Sequence, residues 1–234
     1  MGFIDIHTHI LYGVDDGAQN LKMSLKMLEL AIERGTTDIF LTPHFSLFVR
    51  QNTPQITLPI FKEISEAAAS LPINLYLGNE MRIDSKSMKA IKNNDFNTLN
   101  NTEYLLIDFP FSLFTGDPLT KLLKIQELHD KIILAHPERH SYTRSLSLMK
   151  QFKEAGILLQ VNATSLSGEH GSESEDFAHE MIRERLVDFV ASDAHNITSR
   201  PPSLQGAYQI VKNQHGEEMA DNLFKKNARQ LLIV

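Results

Sequence analysis

The sequence predicts an α/β fold in which about seven parallel strands are covered by the helices that connect them. Short apolar runs alternate with segments of helical periodicity along the whole chain, and most runs end in a histidine, aspartate or glutamate. Near-continuous apolar strands separated by helices are typical of parallel sheets. About seven such units fall just short of the eight in a closed (β/α)₈ barrel. No linker or change in composition divides residues 1–234, so we expect one domain.

In the first half of the chain, four strands alternate with three helices. The opening strand ends in His7 and His9, which the alternation of side chains along a strand places on one face. Leucines at helical spacing predict a helix that ends before Gly35. The predicted elements are strands at 3–9, 38–42, 73–77 and 103–107, and helices at 21–32, 54–70 and 85–92.

The second half continues the same alternation. Gly156 ends one helix, and Pro201 and Pro202 precede a last helical stretch that runs through Arg229. The other predicted elements are helices at 118–129, 146–155 and 174–186, and strands at 131–135, 157–161 and 188–192. These strands are rich in Ile, Leu and Val, whose side chains suit a buried sheet.

One loop, at residues 45–53, is unusually apolar because it contains Phe45, Leu47, Phe48 and Val49. Such a loop fits a lid over a site, a contact for a substrate peptide or a subunit interface. It equally fits core packing under a barrel mouth, and the sequence does not rank these interpretations.

The composition argues against several classes of protein. A formal net charge of −6 disfavours general binding of nucleic acid or anionic membranes. The absence of cysteine excludes disulfides, thiolate metal sites and a cysteine nucleophile. Asp5 and His7 interrupt the opening apolar run, so we expect no signal peptide. No run approaches the ~18–20 apolar residues of a membrane span, so we expect a cytoplasmic protein without membrane insertion.

Polar side chains follow the predicted strands at their carboxyl ends, where a β/α barrel places its active site. They are, in order, His7 and His9, His44, Glu80, Asp108, His136, Asn162, and Asp193 with His195. Any one of them alone would be an ordinary buried histidine or the start of a loop. As a set they favour a metal site, whose nitrogen and oxygen ligands suit Mn, Fe, Zn or Mg. Ions ~3.5–4 Å apart support hydrolysis, most naturally of phosphate esters.

The same segments resemble the polymerase-and-histidinol-phosphatase (PHP) superfamily over residues 2 to about 205. Within it they are similar to the bacterial manganese-dependent protein-tyrosine phosphatases of capsule and exopolysaccharide operons. The motifs that carry the resemblance are Asp5-Ile6-His7-Thr8-His9, Val14-Asp15-Asp16-Gly17, Thr42-Pro43-His44, Gly78-Asn79-Glu80, His136-Pro137-Glu138-Arg139 and Ser192-Asp193-Ala194-His195. The resemblance implies a distorted (β/α)7 TIM-like barrel with three divalent ions, of which Mn²⁺ is the expected identity.

The resemblance also assigns ligands. It places His7, His9 and Asp193 on one ion, Glu80 as a bridge to a second, His136 and Asp108 on the second, and Asp16, His44 and His195 on the third. Asp15 is an alternative to Asp16 as the third-ion carboxylate. The family often has glutamate where this chain has Asp108, and aspartate is one methylene shorter, so the second ion is expected to sit differently or bind more weakly.

Two arginines near strand ends, Arg139 and Arg200, are the candidates for binding phosphate. A guanidinium group matches phosphate oxygens in a fork and stabilises charge in the transition state. The alternative is that each forms an ordinary surface ion pair. The remaining histidines lie off the strand-end pattern and are interpreted as structural or solvated: His129, His140, His170, His179 and His215.

The resulting hypothesis is a metal-dependent phosphomonoesterase that acts on phosphotyrosine in protein, using water activated by the ions. The resemblance implies that the substrate is the phosphorylated tail of a membrane-associated tyrosine kinase that controls polysaccharide export. Three alternatives stay open: a small-molecule phosphatase such as a histidinol-phosphate phosphatase, a metal-dependent amidohydrolase, and a non-catalytic phosphotyrosine-binding protein. The amidohydrolase is disfavoured because no predicted strand ends in the lysine that often bridges metals in that class.

Overall fold

Nine strands and eight α-helices are found in the computed structural model, which describes residues 2–46, 50–110 and 115–233. The strands are β1 (Phe3–Thr8), β2 (Thr36–Leu41), β3 (His44–Phe45), β4 (Asn74–Leu77), β5 (Glu80–Arg82), β6 (Tyr104–Asp108), β7 (Lys131–Ala135), β8 (Leu158–Asn162) and β9 (Phe189–Ala191). The helices are α1 (Leu21–Glu33), α2 (Pro54–Ala67), α3 (Ser85–Asn93), α4 (Pro118–Gln126), α5 (Leu146–Glu154), α6 (Ser172–Arg183), α7 (Gln205–His215) and α8 (Glu217–Asp221).

The strands form two parallel sheets. One has three strands in the order β1-β2-β4, and the other has six in the order β3-β5-β6-β7-β8-β9. All pairings between these strands are parallel. The predicted class, a parallel α/β fold with strands and helices in alternation, is therefore confirmed.

Two short strands, β3 and β5, were not predicted as strands. The sequence interpretation ended these strands at Thr42 and Leu77 and placed His44 and Glu80 just beyond them, at their carboxyl ends. In the structure, the chain passes Pro43 in one case and Gly78 in the other, and then continues into the six-stranded sheet.

Pro43 and Gly78 lie where the chain passes from the three-stranded to the six-stranded sheet. Pro43 has no N–H to donate to a sheet, and its carbonyl accepts hydrogen bonds from the Glu80 backbone N–H and the Asn79 side chain. A side chain at Gly78 would lie 2.6 Å from Leu99 Cδ2. The passage into the second sheet pairs His44 with Glu80 in register across β3 and β5.

Backbone hydrogen bonds also connect β1 with the segment after β9. The His9 N–H donates to the Ala194 carbonyl over 2.8 Å, and the Asp193 N–H donates to the His7 carbonyl over 2.9 Å. Thr8 and Ala194 form an isolated parallel bridge. The first and last strands therefore present their carboxyl ends side by side.

The predicted helices are confirmed, with ends that shift by no more than three residues for α1 to α6. Side chains cap the starts of α1, α3, α4 and α5; Asn20 accepts from the Met23 N–H, and Asp84 forms a capping box with Ser87. The last predicted helical stretch is broken at Gly216, whose φ is +91°, and continues as α8 followed by a π-helical turn.

The apolar loop predicted at residues 45–53 is described only in part. Phe45 is fully buried in β3, which corresponds to the core-packing interpretation for that residue. Leu47, Phe48 and Val49 lie outside the described residues.

Three clusters of buried apolar side chains make up the core. The largest packs the six-stranded sheet against the helices that follow it, and a second packs β1, β2 and β4 against α1 and α2. The third combines strands of both sheets, since Ile6, Phe40, Ile133 and Ala191 belong to it. Ile6, Ile133 and Ala191 each lie shortly before a predicted metal ligand, which is His7, His136 or Asp193. Within the described ranges, no helix is long and apolar enough to cross a membrane.

Candidate metal centre

The polar residues at the strand ends converge on one buried cluster. Within the described part of the chain, four groups of side chains bring their ligand atoms within 4.8 Å of one another. The groups are His7, His9 and Asp193; His7, Glu80 and His136; His9, Asp16, His44 and His195; and Asp108, His136 and His140. All nine residues that the sequence predicted as ligands are among them.

The first group is formed at the junction between β1 and the segment after β9. The Nε2 atoms of His7 and His9 face each other at 3.3 Å. Both also face Asp193 Oδ1, at 3.6 Å from His7 and 3.2 Å from His9. Two imidazole nitrogens and a carboxylate oxygen thus surround one position, which is a ligand set that divalent first-row ions prefer.

Glu80 lies at the middle of the cluster and contacts four imidazoles. Its Oε1 is 2.9 Å from His136 Nε2 and 3.5 Å from His7 Nε2. Its Oε2 is 2.5 Å from His44 Nδ1 and 3.5 Å from His9 Nε2. Each carboxylate oxygen of Glu80 therefore lies beside a different pair of imidazoles, and the role of Glu80 as a bridge between two ions stays a prediction.

The residues predicted to hold the third ion meet in a group around Asp16. Asp16 Oδ1 is 3.3 Å from His44 Nε2 and 3.4 Å from His195 Nε2. The side chain of Asp16 is 64% exposed, so it reaches this group from the open side of the site. Asp15, the alternative that the sequence left open, instead accepts a hydrogen bond from His9 Nδ1 over 2.7 Å.

The fourth group contains a residue that the sequence analysis set aside. Sequence analysis interpreted His140 as structural or solvated; it is buried rather than solvated, and its Nε2 lies 3.2 Å from Asp108 Oδ1. Asp108 Oδ1 is also 3.7 Å from His136 Nδ1. The other oxygen of Asp108 accepts a hydrogen bond from Arg82 Nε over 2.8 Å. His140 follows His136 by four residues, and only that short spacing could have drawn attention to it.

Both predicted phosphate-binding arginines reach the cluster. Arg139 Nη1 and Arg200 Nη2 donate to Asp193 Oδ2 over 2.9 and 2.6 Å. A cavity of about 360 Å³ opens here, and it is lined by Asp16, His44, Arg82, His136, Arg139, Asp193, His195 and Arg200. Arg82, which sequence analysis missed, therefore joins the predicted pair at the cavity wall.

Two residues of the cluster have a strained backbone. His136 has a φ of +32° and Asp193 a φ of +52°, in the region that residues with a side chain rarely adopt. His136 directly follows β7, and Asp193 lies two residues beyond the end of β9. Such conformations cost of order 1–3 kcal/mol each and are concentrated at functional sites, so the backbone at His136 and Asp193 supports this cluster as a candidate site.

Comparison with known proteins identifies the family. A profile of the family described as "Capsular polysaccharide synthesis, CpsB/CapC" matches residues 3–233. The chain belongs to the CpsB/CapC family.

Several relatives in this family carry a named activity. The tyrosine-protein phosphatase YwqE of Bacillus subtilis is 31% identical over 98% of this chain and 91% of that protein. The tyrosine-protein phosphatase CpsB of Streptococcus agalactiae is 31% identical over 98% of both chains. CapC of Staphylococcus aureus is 34% identical over 98% of this chain and 91% of that protein.

Solved structures show the same relationship. A crystal structure from a study of YwqE of Bacillus subtilis and CpsB of Streptococcus pneumoniae matches with a TM-score of 0.84 and 30% identity, over 93% of this chain and 89% of the other. That study describes both as metal-dependent tyrosine phosphatases. Dihydropyrimidinase of Brevibacillus agri matches with a TM-score of 0.56 and 13% identity, over 98% and 70% of the chains, which shows a likeness of fold alone.

In this CpsB/CapC family member, the charges of the cluster are strongly coupled. Burial opposes a charge on His7, yet the carboxylates of Glu80 and Asp193 raise its pKa to about 9. Burial also opposes ionisation of Glu80, yet His44 and His7 hold the pKa of Glu80 well below its usual range. The cluster therefore combines ionised carboxylates with imidazoles that hold protons, and a bound cation would have to displace those protons.

Proposed function

We propose that this protein is a metal-dependent protein-tyrosine phosphatase. Its family membership and the named activities of YwqE and CpsB support the proposal. The observation that carries it is that the two carboxylate oxygens of Asp193 have different kinds of partner. Its Oδ1 faces the Nε2 atoms of His7 and His9, while its Oδ2 is held by two arginines of the cavity wall. A cation site and an anion-binding wall thus meet at one carboxylate, as phosphoester hydrolysis requires.

The buried donor set fits divalent ions. Imidazole and carboxylate groups converge within ligand distance of one another, and no thiolate is present to favour softer metals. We assign up to three ions, with Mn²⁺ as the expected metal and Fe, Zn or Mg as alternatives. The proposed ligands are His7, His9, Asp16, His44, Glu80, Asp108, His136, Asp193 and His195, and His140 lies in the same group as Asp108.

The ions, when bound, would supply Lewis-acid stabilisation and lower the pKa of water near the phosphorus atom. The chain's own contribution is binding and orientation. Arg139 and Arg200 line the cavity and would hold the phosphoryl oxygens through their guanidinium forks. The tyrosine leaving group has a pKa near 10, so it needs less help from an acid than an alkoxide would. These steps need no cysteine, and the chain has none.

The proposed substrate is a phosphotyrosine protein. The family description concerns capsular polysaccharide synthesis, so we propose the C-terminal tail of a bacterial tyrosine kinase that regulates capsule or exopolysaccharide production. A cytoplasmic location is part of this proposal, because ATP-dependent kinases form phosphotyrosine there.

We also propose that the two sheets together form one distorted (β/α)7 barrel in a single domain over residues 1–234. Hydrogen bonds between β1 and the segment after β9 support closure on one side. The passage of the chain from β2 to β3 and from β4 to β5 links the sheets on the other side. The apolar cluster shared by strands of both sheets supports an enclosed interior.

The test is phosphate release from a synthetic phosphotyrosine peptide by the purified protein, with added Mn²⁺ and with EDTA. Asp193→Ala is expected to lower the rate by roughly 100-fold or more. Asp176→Ala, on the exposed face of α6, is the matched control and should leave the rate unchanged. Full activity after exhaustive metal removal would overturn the proposal. A faster reaction with histidinol phosphate than with the peptide would replace the protein substrate by a small molecule.

A further inference from the structure

We propose that Gln160 and Asn162 are positioning residues that fix the tautomer of His7 and the orientation of Asp193 through one directional chain of hydrogen bonds. The inference rests on the proposed function, since it gives both residues a purpose in holding the metal ligands. Neither residue was assigned a role by the strand-end pattern: Asn162 was noted there without one, and Gln160 was missed.

The chain of hydrogen bonds runs through four buried side chains. Asn162 Nδ2 donates to Asp193 Oδ2 over 2.7 Å. Gln160 Nε2 donates to Asn162 Oδ1 over 2.8 Å. Gln160 Oε1 lies 3.0 Å from His7 Nδ1. Gln160, Asn162 and His7 have no exposed surface, and Asp193 is 2% exposed. Bulk solvent therefore does not reach His7 or the two amide side chains, whereas Asp193 lines the cavity.

The donor-to-acceptor direction of these hydrogen bonds is fixed at Asp193, where the series ends. Asp193 Oδ2 also receives hydrogen bonds from Arg139 and Arg200, so it is a carboxylate oxygen that can only accept. Asn162 must therefore turn its NH₂ group toward Asp193 and its carbonyl toward Gln160.

The same reasoning fixes the orientation of Gln160 and the position of the proton on His7. Gln160 must donate to the Asn162 carbonyl, so its own carbonyl faces His7 Nδ1. That nitrogen must then carry a proton. The Nε2 atom of His7 is left as the ligating nitrogen, and it points at Glu80 and Asp193.

The arrangement determines which of the two ring nitrogens of His7 is free to bind a metal ion. A histidine binds a metal through one ring nitrogen only if the other nitrogen keeps the proton, and an acceptor at that other nitrogen sets the choice. His9 has such an acceptor in Asp15, at 2.7 Å. His7 has the neutral Gln160 instead, which would be ambiguous on its own because an amide can flip. The link to Asp193 removes the ambiguity.

The two amides are themselves held by the sheet. Gln160 and Asn162 are two residues apart on β8, so they lie on the same face of a strand that pairs with β7 and β9. The Asn162 N–H and the Ser165 hydroxyl both donate to Glu138 Oε1, over 3.0 and 2.7 Å. Glu138 lies in the turn Pro137–Arg139, so β8 is tied to the turn that also carries Arg139.

The experiment measures Mn²⁺ affinity rather than turnover alone. Gln160→Leu and Asn162→Leu each break the chain, and each is expected to weaken Mn²⁺ binding about 10–100-fold, the usual effect of removing an outer partner of a metal ligand. The double variant should bind Mn²⁺ no more than about threefold less tightly than the single variant with the lower affinity. The two losses are not additive because both changes break the same series of hydrogen bonds. Gln151→Leu, on the exposed face of α5, is the matched control and should bind Mn²⁺ as the wild type does.

Two further measurements test the inference even if the leucine variants fail to fold. Gln160→Glu keeps an acceptor for His7 Nδ1 and should bind Mn²⁺ at least about tenfold more tightly than Gln160→Leu. In the wild-type protein loaded with diamagnetic Zn²⁺, nitrogen NMR of the histidines should show His7 bound through Nε2 with the proton on Nδ1. Zinc bound through His7 Nδ1, or additive losses in the double variant, would overturn the inference. Mn²⁺ binding with this pattern but without phosphate release would instead count against the proposed function alone.

Discussion

Arg82 donates through Nε to Asp108 Oδ2 over 2.8 Å, and both side chains lie at the edge of the metal-ligand cluster. The other oxygen of Asp108 lies 3.2 Å from His140 Nε2. Asp108 is therefore held from two sides, at the position where the resemblance to the PHP superfamily leads one to expect the longer glutamate. Among the described residues, the group that contains Asp108 does not include Glu80.

Asp108→Glu is expected to lower the Mn²⁺ concentration that gives half-maximal activity. The added methylene would carry the carboxylate from the Arg82 side toward Glu80 and His136, where the second ion is proposed. The measurement is phosphate release from a phosphotyrosine peptide as a function of Mn²⁺ concentration. An unchanged or higher half-maximal concentration would show that Asp108 is already the correct length for this chain.

Replacing Arg200 with lysine is expected to lower kcat/KM for the peptide by about 10–100-fold. The loss corresponds to about 1.5–3 kcal/mol for a hydrogen bond to a charged group, because an ammonium group cannot reproduce the guanidinium fork. Arg183→Lys on the exposed surface of α6 is the control. Steady-state kinetics check the prediction, and equal values for the two variants would show that Arg200 serves only its ion pair with Asp193.

Mn²⁺ uptake is expected to release protons and to strengthen as pH rises toward 9. Glu80 and Asp193, acting against burial, raise the pKa of His7 to about 9, so its imidazole is protonated at pH 7 when no cation is bound. Mn²⁺ must displace that proton, and each released proton changes the apparent affinity by about tenfold per pH unit below 9. Calorimetric titrations in buffers of different ionisation enthalpy count the protons. A pH-independent affinity between 7 and 9 would refute the prediction.

The same shift affects the stability of the metal-free protein in the opposite direction. The folded pKa of His7 lies above its ordinary value of 6.5, so protonation stabilises the folded state. That contribution is complete below pH 6.5 and is lost as pH rises through about 9. Urea unfolding of the EDTA-treated protein should therefore give a lower free energy of unfolding at pH 9 than at pH 6.5.

Gly17→Ala is expected to lower the free energy of unfolding and to disturb the site. A Cβ atom at Gly17 would lie 2.0 Å from the His9 carbonyl oxygen, so the loop that carries Asp15 and Asp16 would have to move away from β1. Overpacking of this kind costs about 1–3 kcal/mol, and urea unfolding measures it.

Gly206→Ala in α7 is the control for that change. An added Cβ there meets no atom within 4 Å, and alanine is favoured over glycine in a helix by about 1 kcal/mol. The control should be neutral or slightly stabilising. Equal losses in the two variants would mean that the close approach of Gly17 to His9 is not what requires glycine.

Much of this protein could be predicted from local patterns. Alternating apolar runs and helical periodicity depend on side chains a few residues apart, so the helices and seven of the strands were predictable. The histidines and carboxylates that end those strands were predictable for the same reason. The structure brings all eight of them together, because parallel strands in neighbouring positions present their carboxyl ends at one edge, and Asp16 joins them from a loop.

The tertiary structure decided what depends on contacts between distant segments. Asp16 rather than Asp15 reaches the imidazole Nε2 of His44, because the Asp15 carboxylate is held by His9 Nδ1 and by the His44 backbone N–H. The strands β3 and β5 form where the chain passes from one sheet to the other. Arg82, His140 and Gln160 join the site through partners 26, 32 and 153 residues away in the sequence. Such pairs depend on register and side-chain direction across the sheets, and no periodicity within a single segment encodes them.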